Sequence, residues 1–190
     1  MRYTDGQRER TRDRILDVAG RLFREQGVAS SGMAGLMAAA GLTNGAFYAH
    51  FPSKEALVQE VLAHRRQGRF TEALREGEPP ERWIRLYLNP DHRDRPGEGC
   101  MMAPLAAEIG RHPPDTRERF CAALGRTIEL IAAHVPGASE ADRLVRAHAV
   151  FGLMMGTLQL ARATGTGSAS DAILGGGVRA ALALCLPPGG

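Results

Sequence analysis

The chain has 190 residues, 44% of them hydrophobic and 24% charged, with a formal net charge of +3 and a pI near 9.0. That apolar content suits a sizeable core in one or two domains, and so mild a basic excess excludes a polycationic tail while leaving room for a local basic patch. Three widely spaced cysteines, Cys100, Cys121 and Cys185, match neither a disulfide framework nor a zinc site. No apolar run approaches the roughly 20 residues that span a bilayer. Met1 to Arg14 are polar and Arg-rich with no apolar segment behind them, so a reducing cytoplasm is the expected setting.

Apolar residues recur at helical spacing and nothing alternates as a strand requires, which predicts an all-α fold. A first helix is expected over 11–26, with Ile15, Leu16, Ala19, Leu22 and Phe23 on one stripe and Gly27 as its C-terminal cap. Ser30 or Ser31 is placed to cap a second helix over 32–40, in which Met33, Leu36 and Met37 face inward. Gly41 ends it. Thr43 is placed to cap a third, very short helix that Pro52 stops; Ser53 caps a fourth, running to Arg75 with Leu57, Val61, Leu62, Phe70 and Leu74 as its apolar face.

Gly77-Glu78-Pro79-Pro80 is the first strong breaker and a natural domain boundary. Beyond it the pattern predicts a helix over 81–88 carrying Trp83, Ile84 and Tyr87, a polar loop over 89–99, and helices over about 101–111, 115–134, 140–163 and 170–186. Gly175-Gly176-Gly177 should weaken the last of these by up to ~1 kcal/mol per glycine, and close helix–helix approach is one reason to keep them.

Three helices with a tight Gly41-Leu42-Thr43 turn, then a helix opening Ser53-Lys54-Glu55, resemble the TetR/AcrR family of bacterial regulators. The matching residues are Ile15, Leu16, Ala19, Leu22, Phe23 and Gly27, then Leu36, Ala39, Ala40, Gly41 and Leu42. They continue with Gly45, Phe47, Tyr48, His50, Phe51, Ser53, Lys54, Glu55 and Leu57. The resemblance implies a helix-turn-helix DNA-binding domain over 8–68 and a ligand-binding and dimerisation domain over 77–190. It further implies a homodimer on a palindromic operator, released by a small-molecule effector, acting as a repressor, with no cofactor, no metal and no catalysis. Residues 99–108, Gly99-Cys100-Met101-Met102-Ala103-Pro104-Leu105-Ala106-Ala107-Glu108, resemble a segment of a subset of these regulators. Gly32 and Gly35 depart from the family's usual better helix formers, and Asn44 stands where lysine or arginine is common.

The resemblance puts Thr43, Asn44, Gly45 and Ala46 at base edges in the major groove. An asparagine carboxamide pairs with adenine N6 and N7, and glycine permits close backbone approach. Tyr48, His50 and Lys54 suit phosphates, as does the amide-rich start of the second helix at Ser31 and Met33. Arg8, Arg10, Arg12 and Arg14 read as a basic arm that reaches the backbone or minor groove, or as a solvated tail.

Downstream, Trp83, Tyr87, Met101, Phe120, Phe151 and Met155 suit either an apolar effector pocket or an ordinary core. His148 and Gln159 are polar groups on an otherwise apolar helix, placed to orient a ligand or to bond within the interior. Cys100 is expected at a helix start, where thiolate is favoured, so an electrophile- or oxidant-sensing regulator is the alternative to a small buried hydrophobe. An enzyme would need Cys100 paired with His112 or His134 and has no other support; a helical scaffold that no longer binds DNA is a third reading. The last two helices are the dimerisation candidates, and the helix from Ser53 is the expected mechanical link between the domains.

Overall fold

The first helix, α1 (Asp5–Gln26), starts well ahead of residue 11 and carries the arginines of the expected arm within it. The computed structural model describes residues 5–64 and 68–186, and every regular element among them is helical. Ile15, Leu16, Ala19 and Phe23 of α1 are buried. Gly27, at φ +82°, closes the helix with its amide on the Phe23 carbonyl at 2.9 Å.

The second helix, α2 (Met33–Ala39), is capped by neither serine: Gly32 holds the N-cap position without a side-chain bond. Ser31 is buried instead, its hydroxyl donating to the Gly27 carbonyl at 2.7 Å. At the other end Gly41, at φ +67°, lets its own amide reach Ala38 O and that of Leu42 reach Met37 O, both at 2.9 Å. This paired closure needs a left-handed residue, so a side chain there would strain the turn. The next element is a 3-10 helix, Asn44–Ala49, rather than an α-turn; Thr43 occupies its N-cap position but its hydroxyl caps nothing.

The expected helix over 53–75 is two helices, α3 (Lys54–Ala63) and α4 (Arg69–Arg75). Ser53 caps α3, accepting from the Ala56 amide at 3.1 Å. His64 and Gly68 are both extended, and residues 65–67 lie outside the described residues. Then come α5 (Pro80–Tyr87), α6 (Pro90–Asp94) and a 3-10 turn (Pro96–Glu98), the last two within the stretch expected to be loop. Asn89 makes α6 possible by accepting from the His92 amide at 2.9 Å. The remaining helices are α7 (Met102–Ile109), α8 (Pro114–Ala132), α9 (Glu140–Ala163) and α10 (Ser168–Cys185).

Two apolar cores result. The first joins α1, α2, the 3-10 helix and α3 through Phe23, Leu36, Met37, Phe47, Phe51, Leu57 and Val61, and it also takes in Leu105 and Ile109 of α7. The second joins α4, α5, α8, α9 and α10 around Leu74, Trp83, Tyr87, Ile131, Phe151, Met154 and Leu158, and it takes in Met102 and Ala103 of the same α7. By length and composition alone α9 could cross a membrane, against the sequence expectation, yet Val150, Phe151, Met154 and Leu158 fix one of its faces in the second core.

One of the three clustered glycines answers to close packing: a Cβ on Gly177 would stand 2.4 Å from Cγ2 of Thr157. Gly35 faces open space. Gly177→Ala should therefore lower the thermal midpoint by overpacking, typically 1–3 kcal/mol, whereas Gly35→Ala should raise stability by about 0.5–1 kcal/mol. Thermal unfolding followed by circular dichroism checks both, and a Gly177→Ala protein as stable as the parent would contradict the packing described.

Candidate nucleic-acid interface

A 3-10 helix of six residues has no stability of its own, so its packing decides whether it can present anything. Phe47 and the following Phe51 are both buried, with ring centroids 5.7 Å apart, and they pin the element to α1 and α2. What is left outward is Thr43, Asn44 and Gly45, all exposed, and Tyr48, 72% exposed although its ring meets the edge of Phe47 at 5.2 Å. Ala46 is half-buried against the same core. An exposed tyrosine beside an exposed carboxamide and an uncovered glycine backbone is a surface equipped to hydrogen-bond and to come close to a partner.

The other expected contacts are placed differently. Lys54 turns inward, its Nζ donating to the Val28 carbonyl at 2.6 Å, so its ammonium ties α3 to the α1–α2 loop. Ser31 is buried, and Met33 is half-buried against the first core. Arg8 donates to the Ala49 carbonyl at 3.0 Å, satisfying the end of the 3-10 helix, while Arg12 pairs with Glu60 and lies over the Phe51 ring at 4.8 Å. His50 is half-buried with Nδ1 enclosed, and burial, then Arg8 and Arg12, lower its pKa, which favours the neutral ring over the cation. Arg10 and Arg14 are exposed on α1, and Nη2 of Arg14 approaches to 3.8 Å of where a Gly41 Cβ would be. Helical phase, 8 and 12 against 10 and 14, could have shown that four arginines on one helix cannot act together.

Residues 15–61 match the family model described as bacterial regulatory proteins, tetR family. The match is confined to the head, from α1 to α3. The HTH-type transcriptional regulator AcrR of Shigella flexneri is 47% identical over 60 residues, 32% of this chain and 28% of that protein. The HTH-type transcriptional repressor KstR2 of Rhodococcus jostii is 41% identical over 51 residues, 27% of this chain and 25% of that protein. The chain thus spans less than a third of the length of these curated relatives. The solved structure of reduced NemR from Escherichia coli aligns over 95% of this chain and 100% of its own with a TM-score of 0.71 at 23% identity, a likeness of fold.

In the rest of the chain the candidate effector residues separate. Trp83, Tyr87 and Phe151 are buried together, with Phe70 stacked on Phe151 at 6.3 Å and edge-on to Tyr87 at 5.0 Å. Met155 is half-buried against that core, but Met101 packs on the first core and Phe120 touches both. His148, expected to orient a ligand or to bond within the interior, is exposed on α9 and donates to the Leu144 carbonyl at 2.7 Å; Gln159 is half-buried and accepts from Arg162 at 3.3 Å. His112 is bonded to Glu55 and His134 to the Leu74 carbonyl, so both rings are engaged away from Cys100. One polar atom in the second core, Trp83 Nε1, is buried without a hydrogen-bond partner, which gives this core a polar demand that an incoming group could meet.

Cys100 is half-buried just before α7, and its partner is a histidine the sequence did not single out. His92 Nδ1 donates to the Tyr87 carbonyl at 2.7 Å, which leaves Nε2 to accept from the Cys100 amide at 3.0 Å. A second proton would destroy the latter bond; burial, with Arg162 nearby, pushes the His92 pKa down to about 4. The folded state therefore binds this proton less readily than the unfolded state. His92 contributes fully above about pH 6.5 and loses its contribution as pH falls towards 4, by up to about 3 kcal/mol. Urea unfolding between pH 7 and 4 checks this: His92→Gln should flatten the decline, and an unchanged slope in that variant would contradict the assignment.

Proposed function

We propose that this chain is a DNA-binding transcriptional repressor that works as a homodimer in the cytoplasm and leaves a palindromic operator when a small molecule binds its C-terminal domain. The observation that carries this reading is the exposed Asn44, Gly45 and Tyr48 on a 3-10 helix anchored by Phe47 and Phe51, one glycine turn after α2. Such a short element, inserted in a major groove, sets its first residues against base edges while Arg10, Arg14 and Tyr48 meet phosphates.

Dimerisation is supported by the outer face of α9, where Val145, His148, Ala149, Gly152, Gly156 and Leu160 are exposed. Val145 and Leu160 are among the four exposed large hydrophobic residues of the described chain, and the small residues between them let a second copy approach closely. The buried, unpaired Trp83 Nε1 supports an effector with a hydrogen-bonding group on an apolar body. Cys100 supports the second reading, a thiol sensor, through its place beside Tyr87 and Arg162; a Cys100→Ser protein that still answers every electrophile would end it.

Selection of duplexes from a random pool, followed by binding measured across salt concentrations, tests the main reading. The selected site should contain two half-sites, and affinity should fall as salt rises. Asn44→Ala should cost about 1–3 kcal/mol and relax preference at one base pair per half-site, while Tyr48→Ala should weaken all sites alike. A chain that enriches no sequence would overturn it.

A further inference from the structure

We propose that Glu108 is the positioning residue that sets the orientation of the DNA-reading head, by clamping the α1–α2 loop to α7; this rests on the DNA-binding reading above. Both carboxylate oxygens of Glu108 are used, Oε2 accepting from the Val28 amide at 2.8 Å and Oε1 from the Ala29 amide at 2.5 Å. Two successive amides on one carboxylate form a charge-assisted fork, directional as well as strong. The carboxylate seats there because residue 27 is glycine: a Cβ would stand 2.9 Å from Oε2.

The loop is gripped from the opposite side as well. Lys54 Nζ donates to the Val28 carbonyl at 2.6 Å, so this stretch is held between α7 and α3. The loop leads directly into α2, and α2 leads through Gly41 to Asn44 and Tyr48. A second strut runs beside it. Glu55 of α3 accepts from Thr116 Oγ1 at 2.5 Å and bonds His112 Nδ1 at 2.9 Å, and Gln59 Nε2 donates to Thr116 at 3.1 Å. Glu55 fixes α3 to α8, whereas Glu108 ties α7 to the segment that carries α2. An open cleft of about 370 Å³ lies at this corner, lined by Ala29, Glu55, Glu108, Arg111, His112 and Pro113.

A clamp that merely adds stability would, when cut, weaken every DNA complex equally. One that sets orientation also decides how far apart the two heads of a dimer stand, and so which half-site spacing is accepted. The test uses the full chain and a selected duplex rebuilt with the spacer lengthened or shortened by one and two base pairs. Wild type should prefer one spacing sharply. Glu108→Ala should lose about tenfold on the preferred spacing and bind the altered spacings nearly as well, with the salt slope unchanged because no phosphate contact is removed. Glu108→Gln keeps one acceptor oxygen and should fall between, and it carries the same readouts if the alanine variant does not fold. Uniform loss with spacing preference intact, or no loss, would overturn the proposal. Amide hydrogen exchange without DNA reads the clamp separately: Val28 and Ala29 should exchange faster in both variants. A wild-type chain that enriches no duplex would overturn the DNA reading, and unchanged exchange at those amides would overturn the clamp.

Discussion

The arrangement depends on one constraint, the burial of a single short helix in two cores at once. Leu105 and Ile109 of α7 lie in the core of the head, while Met102 and Ala103 lie in the core of the body. A helix buried on two faces cannot rotate or slide without unpacking both, so a rearrangement in the body has a stiff route to the head. The polar contacts at the far end of α7 refine this coupling, since apolar packing is non-directional and a carboxylate on two amides is not. The split between α3 and α4 gives the same point from the other side: the chain does not use one continuous helix to join its halves.

The head itself is a case of tertiary packing overruling weak local preference. Its outward helix is short, 3-10 in geometry and without a side-chain cap, and α2 before it contains Gly35 and lacks a capping serine. What holds them is the buried pair Phe47 and Phe51, the Gly41 closure and the arginines of α1. Those arginines are divided in labour by helical phase. Arg8 and Arg12 finish the 3-10 helix and the Phe51 face; Arg10 and Arg14 remain outside. With Lys54 also turned inward, the surface offered to a partner depends more on shape and hydrogen bonding than on stacked charge.

Much of this was legible in the sequence because helical periodicity is a strong signal. The bounds of α9 and the capping roles of Ser53, Gly27 and Gly41 follow from pattern and turn chemistry. The failures have physical reasons. Ser31 looked like a cap because its hydroxyl has the right chemistry, but the chain turned it towards Gly27. Asn89 and Pro90 start α6 in a stretch whose composition reads as loop. The exposure of His148 could not be read from an apolar helix, since which face is buried depends on neighbours. The contacts of Glu108 and His92 could not be read, because each side chain bonds backbone groups, and backbone groups are the same in every sequence.

If the tip of the 3-10 helix meets DNA and the outer face of α9 meets a second copy, those two surfaces must have different neighbours in solution. A photo-crosslinking amino acid placed at Tyr48 or at Leu160, both exposed, reads each neighbour directly in the presence of a selected duplex. The expected result is a protein–DNA adduct from position 48 and a protein–protein adduct from position 160. DNA crosslinked from 160 and none from 48 would contradict the assignment of the head as the DNA-reading surface.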